Sequence, residues 1–224
     1  MDWARADEAS KILNPYRGSR HPEVLWRRGR VLYLKAEEAK SKGGDRARHA
    51  RLVREGFAAV QLALEQDPDC GKAHQWMSVL RYSLAELEGT LARLKSVDNI
   101  RADMERAIQL LPGEDVPRTM LGMWFYEISQ LTWLERQVVQ AAGQTVPKPD
   151  HALRQAVHWF HEAERLHPAK SCLNQLMLGK ALLAEDDPER ARACIERAAS
   201  IPPTSSSNAK AQLDARQLLE CWKQ

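Results

Sequence analysis

The segment LNQLMLGKALLAEDDPERARACIERAASIPP, Leu173–Pro203, decides the fold of this 224-residue chain. Gly179 marks a point of close approach in a first helix. A second helix then carries small, large, small and terminating positions at Ala191, Ile195, Ala198 and Pro203. Gly and Ala let two helices approach, a bulky side chain fills the space beside them, and Pro stops a helix. The intervening EDDP provides a turn with an Asp N-cap, so the segment predicts an antiparallel helical hairpin.

The second-helix pattern recurs three times upstream, in REGFAAVQLALEQDP, IRADMERAIQLLP and QAVHWFHEAERLHP. The matching positions are Gly56, Val60, Ala63 and Pro68; Ile100, Met104, Ala107 and Pro112; and Ala156, Phe160, Ala163 and Pro168. A first helix should precede each copy, with contact points at Gly29, Leu80 and Gly122. The chain is therefore predicted to be all-α, a tetratricopeptide-like superhelical solenoid of about four irregular helix pairs plus a C-terminal capping helix.

The spacing between contact point and second helix is irregular. It is 12 residues in the last pair but 27, 20 and 34 in the earlier ones, so long helices or inserted turns such as Ser41–Asp45 and Gln144–Asp150 are expected. We read VPRTMLGMWFYEISQLTWLERQVVQ as one first helix. The predicted organisation is an N-terminal helix and linker over 1–20, a repeat domain over 21–207, and a capping helix over 208–224. Leu213, Leu218 and Leu219 of the last helix should cover the final pair.

The positive charge is concentrated near the N-terminus. Residues 1–54 hold 14 Lys and Arg against 7 acids, a net charge of +7, whereas the remaining residues carry −4. An acidic partner is therefore expected near the N-terminus, although Arg is also an ordinary solvated helix residue. The predicted basic surface consists of Arg27, Arg28, Arg46, Arg51 and Arg54.

A concave groove lined by the first helices is the second predicted binding surface. Counting from each contact point assigns ten residues to it: Trp26, Arg30, Tyr33, Met77, Arg81, Leu84, Met123, Tyr126, Lys180 and Leu183. An apolar groove with a row of cations suits an acidic amphipathic helix or an anionic lipid. Five of the seven tryptophans, Trp26, Trp76, Trp124, Trp133 and Trp159, lie in helical apolar patterns and are assigned to the core.

Catalytic chemistry is disfavoured. No Gly-rich phosphate loop, nucleophile elbow or zinc spacing is present, so we expect no enzyme activity, cofactor or metal. His158, His161 and Glu162, joined by His151 and His167, form the best candidate metal cluster, but the predicted core stripe leaves His158 and His161 towards the flank or solvent. The four cysteines are read as reduced, mostly buried thiols. No window is apolar enough for a transmembrane segment, no secretory signal is evident, and the arginines lack the aromatic pattern of a nucleic-acid reader.

The stretch GMWFYEISQLTWLERQVVQ, a Pro-containing loop and HALRQAVHWFHEAERLHP together resemble the signature region of the regulator of microtubule dynamics family. The match lies on Gly122, Trp124, Trp133, Arg136, Pro147, Ala156, Phe160, Ala163, Glu164 and Pro168, with an opening helix at Glu23, Val24, Leu25 and Trp26. QAAGQ at 140–144 replaces a Leu-Phe pair of the family. The resemblance implies a scaffold that associates with microtubules or the spindle and, in anchored members, with organelle membranes.

The favoured function is therefore a non-catalytic adaptor that binds a protein partner, such as tubulin or a microtubule-associated protein, in the cytoplasm, at microtubules or the spindle, or on an organelle surface. One alternative is a lipid-binding or lipid-transfer module that holds an anionic lipid in the groove. Another is a structural subunit of a large assembly.

Overall fold

The structure, a computed structural model, describes residues 2–41 and 45–222. Within these ranges the chain is helical and contains no β-strand, which confirms the predicted all-α class. The helices are α1 Asp2–Leu13, α2 Pro22–Ser41, α3 Arg46–Gln66, α4 Gly71–Glu88, α5 Thr90–Lys95, α6 Val97–Leu110, α7 Val116–Ser129, α8 Trp133–Ala141, α9 Pro149–Leu166, α10 Cys172–Ala184, α11 Pro188–Ser200 and α12 Ser206–Cys221. A short 3-10 helix, Asn14–Tyr16, follows α1.

The helices form two compact units, and α8 is divided between them after Arg136. Unit 1, residues 1–112 and 137–144, contains the pairs α2–α3 and α4–α6, with α1 packed against α2. Unit 2, residues 113–136 and 145–224, contains the pairs α7–α9 and α10–α11, with α12 against both members of the last pair. These are the four predicted helix pairs and the predicted capping helix.

In three of the helix pairs the two helices pack closely together at a glycine. A Cβ added at Gly122 would lie 2.6 Å from the Phe160 ring, and one at Gly179 would lie 2.5 Å from Ile195 Cγ1. At Gly29 the added carbon would overlap the side chain of Val60. Each glycine thus meets the large residue of its partner helix, as the repeat pattern predicts, and the bare backbone permits this close approach.

The irregular spacing has two structural sources. In the first pair both helices are long, since α2 has 20 residues and α3 has 21. In the second and third pairs an extra helix, α5 or α8, is inserted between the two members. The insert predicted at Ser41–Asp45 lies partly outside the described residues, because 42–44 are not covered.

The prediction of one continuous helix from Val116 onward is wrong. Helix α7 ends at Ser129 and α8 begins at Trp133, because TWLE forms a capping box that starts a new helix. Thr132 donates its N–H to the Glu135 carboxylate at 2.9 Å, and the Glu135 N–H reaches the Thr132 hydroxyl at 3.3 Å. Because a new helix begins here, Trp133 faces solvent and is 75% exposed. Its assignment to the core is therefore also wrong.

Arg136 joins the ends of this insert in unit 2. Its guanidinium donates to the carbonyl of Ile128, near the end of α7, at 2.5 Å and to the carbonyl of Pro147 at 2.8 Å. Carbonyls in the last turn of a helix lack intrahelical partners, so a cation that donates to one of them stabilises that end. Desolvation by burial lowers the pKa of Arg136. The Arg136 guanidinium therefore links the Trp-x-x-Arg segment to the Pro-containing loop.

The loop that departs from the family pattern has its own contact, within unit 1. Gln144 of the QAAGQ segment accepts the N–H of Asp98 at 3.1 Å and donates to the carbonyl of Lys95. Asp98 lies in the first turn of α6, where backbone N–H groups need partners from outside the helix. Sequence reasoning missed this contact because 46 residues separate the Gln144 side chain from the Asp98 backbone N–H.

The capping helix covers the last pair with small residues. Ala211 and Ala215 are buried against the core of α10 and α11, and Leu218 and Leu219 pack at its edge. Leu213, predicted to face that core, is 56% exposed instead. Alanines allow α12 to lie close to its neighbours, and this close packing leaves Leu213 on the solvent side.

Replacing Gly122 with Ala tests the close approach. The added carbon would meet the fully buried Phe160 ring, so we expect a loss of about 1–3 kcal/mol in the free energy of unfolding, despite the better helix propensity of Ala. Urea denaturation followed by circular dichroism measures it. Gly113→Ala is the control, because nothing lies within 4 Å of its added carbon. Equal stability of the two variants would contradict the close-packing interpretation.

Candidate functional site

The predicted groove residues of unit 1 do not form one surface. Trp26 and Met77 are buried in the core cluster shared by α2, α3 and α4. Leu84 packs against a second core cluster around Ala36 and Val53. These three side chains stabilise the unit, and Tyr33 also packs against the first cluster, which leaves Arg30 and Arg81 as the groove residues of unit 1 with charged groups at the surface.

Arg30 and Tyr33 of α2 lie against one aromatic side chain of α4. The Arg30 guanidinium carbon lies 5.7 Å from the Trp76 ring centroid, within the range of a cation–π contact. The Tyr33 ring lies 5.7 Å from the same indole at a tilt of 54°. Burial raises the pKa of Tyr33, so its hydroxyl stays protonated. This aromatic–cation cluster is the part of the predicted groove that the structure brings together.

Arg81 lies on another side of α4. Five residues separate it from Trp76, which corresponds to roughly 140° around a helix. Its guanidinium carbon lies 5.7 Å from the Phe57 ring of α3, and its Nε donates to the Asp103 carboxylate of α6 at 3.0 Å. Arg81 also borders a surface pocket of about 400 Å³, lined by Phe57, Gln61, Leu64, Glu65, Met77 and Arg81. Its charge is compensated within unit 1.

Asp103 is a buried carboxylate shared by two cationic groups. Besides Arg81, it contacts His74 Nδ1 at 3.3 Å, while His74 Nε2 lies 2.9 Å from the Pro68 carbonyl. Both ring nitrogens therefore face acceptors, an arrangement that favours the doubly protonated imidazolium. The hydrogen bond to Asp103 is the main cause that raises the pKa of His74.

In unit 2 the predicted groove residues lie on two helices. Met123 and Tyr126 are half-buried on α7, and Lys180 is half-buried on α10. Leu183 of α10 is exposed. Burial raises the pKa of Tyr126. A ligand contact at these four residues stays a prediction.

The predicted basic surface is spread along the α2–α3 pair of unit 1. Gly29 meets Val60, while Glu37 lies near His49, so α2 and α3 run antiparallel. This places Arg27 at one end of the pair, with its neighbour Arg28. Arg46 and Arg51 lie towards the other end, whereas Arg54 lies near the middle, because it precedes Gly56 by two residues and Gly56 meets Gly29 and Leu32.

One arginine at each end of the pair makes an ion pair. Arg27 pairs with Glu23 and stacks on Trp26 at 4.2 Å, whereas Arg28 donates to the Arg17 carbonyl at 3.1 Å. At the start of α3, Arg51 reaches Glu55 at 4.0 Å. Arg46 and Arg54 are exposed and make no ion pair within the described ranges.

The histidines of the candidate metal cluster have other partners. His161 Nε2 lies 3.3 Å from the Arg190 guanidinium, and the His158 ring packs edge-on against Trp159 at 5.2 Å. Desolvation, followed by the charge of Arg190, lowers the pKa of His161. Across the described part of the chain, no group of three or more His, Cys, Asp or Glu side chains could hold a metal ion.

The thiols and the helix lengths give two further observations. Cys70, Cys172 and Cys194 are buried free thiols, and Cys221 is exposed. None of the helices in the described ranges combines the length and the apolar character that a membrane span requires.

The pKa values of His74 and His161 should lie on opposite sides of the ordinary histidine value. We expect an NMR pKa above about 6.5 for His74 and below it for His161. Since the native state favours protonated His74, its stabilising contribution is complete below about pH 6.5 and is lost as pH rises through the native pKa. Asp103→Asn should lower the pKa of His74 and leave that of His161 unchanged. An unchanged His74 pKa would contradict the role of Asp103.

The family model "Regulator of microtubule dynamics protein 1-3" matches residues 2–223. The chain is 26% identical to regulator of microtubule dynamics protein 1 of Bos taurus over 209 residues, which cover 93% of this chain and 64% of that protein. It is 27% identical to regulator of microtubule dynamics protein 3 of Xenopus laevis, over 89% of this chain and 42% of that protein. The chain thus spans less than two thirds of these relatives.

Among solved structures, a monomeric mutant of IFIT1 with Gppp-AAAA is similar with a TM-score of 0.51. The sequences are 13% identical, and the alignment covers 96% of this chain and 55% of IFIT1. At this identity the likeness bears on the fold alone, and it agrees with an arrangement of packed helix pairs.

Proposed function

Because this chain belongs to the regulator of microtubule dynamics family, we propose that it is a non-catalytic scaffold that binds an acidic, microtubule-associated protein surface through the cations of unit 1. Such a scaffold would act in the cytoplasm, at microtubules, the spindle or the surface of an organelle. Tubulin itself, or a protein bound to it, is the proposed partner.

The observation that carries the proposal is the concentration of uncompensated positive charge in unit 1. Residues 1–54 have a net charge of +7, and Arg20, Arg46 and Arg54 are exposed without an ion pair in the described structure. Unit 2 has no such excess, since its residues 113–136 and 145–224 hold 13 Lys and Arg against 14 Asp and Glu, a net charge of −1; ion-paired cations occur in both units. Exposed like charges of this kind steer an oppositely charged partner and speed its association.

The lipid alternative has less support. A headgroup site needs cations that face one apolar cavity, but Arg30 lies against Trp76 and Arg81 lies against Phe57, roughly 140° apart around α4. Asp103 also compensates Arg81. Binding of an anionic lipid in the groove stays a prediction, as does a structural role in a large assembly.

Cosedimentation with microtubules in a salt series tests the proposed function. We expect binding at about 0.01 M salt, where charges interact over roughly 30 Å, and weak binding at about 0.15 M, where the range is roughly 8 Å. A variant with Arg20, Arg46 and Arg54 changed to Glu should lose affinity on the order of tenfold, because exposed ion pairs contribute roughly 0.2–1 kcal/mol each.

The matched control changes Arg154, Arg192 and Arg197 of unit 2 to Glu, which alters the net charge equally. We expect this control to retain most of the affinity. Failure of the wild-type protein to sediment with microtubules at low salt would contradict the proposed function. If both variants lost the same affinity for microtubules, the attraction would depend on the net charge of the protein and not on the cations of unit 1.

A further inference from the structure

The turn between α1 and α2 exposes two apolar side chains next to each other. Ile12 is 63% exposed and Tyr16 is 56% exposed. They are four residues apart in a segment that continues from α1 into the 3-10 helix, so they project to a similar side. Each belongs to a residue type that is usually buried at least in part, and neither contributes to a core cluster.

Four cations lie near this pair, three of them in the same stretch of sequence. Lys11, Arg17 and Arg20 are exposed and make no ion pair within the described ranges. Arg28 of α2 donates to the Arg17 carbonyl at 3.1 Å, which holds a fourth positive charge at the same turn. A carbonyl is a neutral acceptor, so the charge of Arg28 remains uncompensated. We name the set Ile12, Tyr16, Arg17, Arg20 and Arg28 the α1–α2 corner.

Carboxylates are few at the corner. The run Lys11–His21 contains no Asp or Glu. Among the acids that flank it in sequence, Asp7 reaches Lys35 at 3.2 Å, Glu23 pairs with Arg27, and Glu8 is exposed without an ion pair. Asp67, which follows α3, also lies near the start of α2, because its charge and that of Glu23 both act on Cys70. The corner is therefore positive, with an apolar centre. The start of α3 differs, since Glu55 lies among its arginines and no large apolar side chain is exposed there.

We propose that the α1–α2 corner is the docking surface for an acidic peptide segment that carries an aromatic or aliphatic side chain. The partner's carboxylates pair with Arg17, Arg20 and Arg28, and its apolar side chain packs on Tyr16 and Ile12. Arg suits this role because its planar fork binds a carboxylate through two parallel hydrogen bonds. The inference rests on the proposed function and assigns its contact to one end of α2.

The corner favours a peptide over the other polyanions. A bilayer surface calls for a longer apolar face than two side chains provide. Single-stranded nucleic acid calls for successive aromatic platforms, and Tyr16 is the one aromatic side chain in Lys11–His21. Tyrosine at the centre of a charged rim is instead the arrangement common at protein interfaces, where truncating the aromatic anchor weakens binding strongly.

A pair of peptide probes tests the docking site. One probe is a glutamate-rich peptide with a single phenylalanine, and the other has serine in its place. We expect the wild-type protein to bind the phenylalanine probe about tenfold more tightly, and Tyr16→Ser to bind both probes equally and weakly. Because an apolar contact is not screened, Tyr16→Ser should leave the salt dependence of binding unchanged, whereas Arg17→Glu with Arg20→Glu should reduce it.

Leu213→Ser is the control, since Leu213 is as exposed as Tyr16 but lies in unit 2. Wild-type affinity of Tyr16→Ser for the phenylalanine probe would overturn the inference. The inference would also be overturned if Tyr16→Ser no longer bound vesicles of phosphatidylserine and phosphatidylcholine but still bound the peptide as the wild-type protein does. Microtubule cosedimentation separates the two proposals. If the wild-type protein and Tyr16→Ser sediment equally well with microtubules, docking at the α1–α2 corner is contradicted, while the proposed function is supported.

Discussion

The close contact between a glycine on one helix and a large side chain on its partner is the constraint on which the helix pairs depend. Gly122 meets Phe160 and Gly179 meets Ile195 at distances that leave no room for a methyl group. Gly29 meets Val60 in the same way, which sets the register of α2 against α3. That register determines where along the pair each arginine lies. The distribution of charge over unit 1 is thus a consequence of backbone packing as much as of composition.

The helix pairs could be predicted from the sequence because their signal is local and periodic. Phe160, Ala163 and Pro168 lie within one stretch, and each has a direct steric role. The break before Trp133 was also encoded locally, by the TWLE capping box, but the strong apolar pattern around it favoured one continuous helix. Arg136 and Gln144 contact backbone groups that are distant or irregular, so no spacing rule could locate their partners.

The binding surface was harder to predict than the fold. Counting positions from the contact points assigned Arg30 and Arg81 to one groove, whereas the structure gives them different aromatic neighbours. The pairing of Arg81 with Asp103 joins α4 to α6 and has no local signature. Tyr16 was overlooked for a related reason: it lies in a linker without periodicity, and its exposure depends on how α1 packs on α2.

Family membership and charge distribution together support a scaffold whose N-terminal part meets an acidic surface. Hydrogen–deuterium exchange, with and without microtubules at low salt, tests this most directly. We expect slowed exchange in the segment around the 3-10 helix and the start of α2, residues 14–28, and little change in α10–α12. Protection confined to α10–α12, or no protection in a sample that demonstrably sediments with microtubules, would contradict the assignment of binding to this end of unit 1.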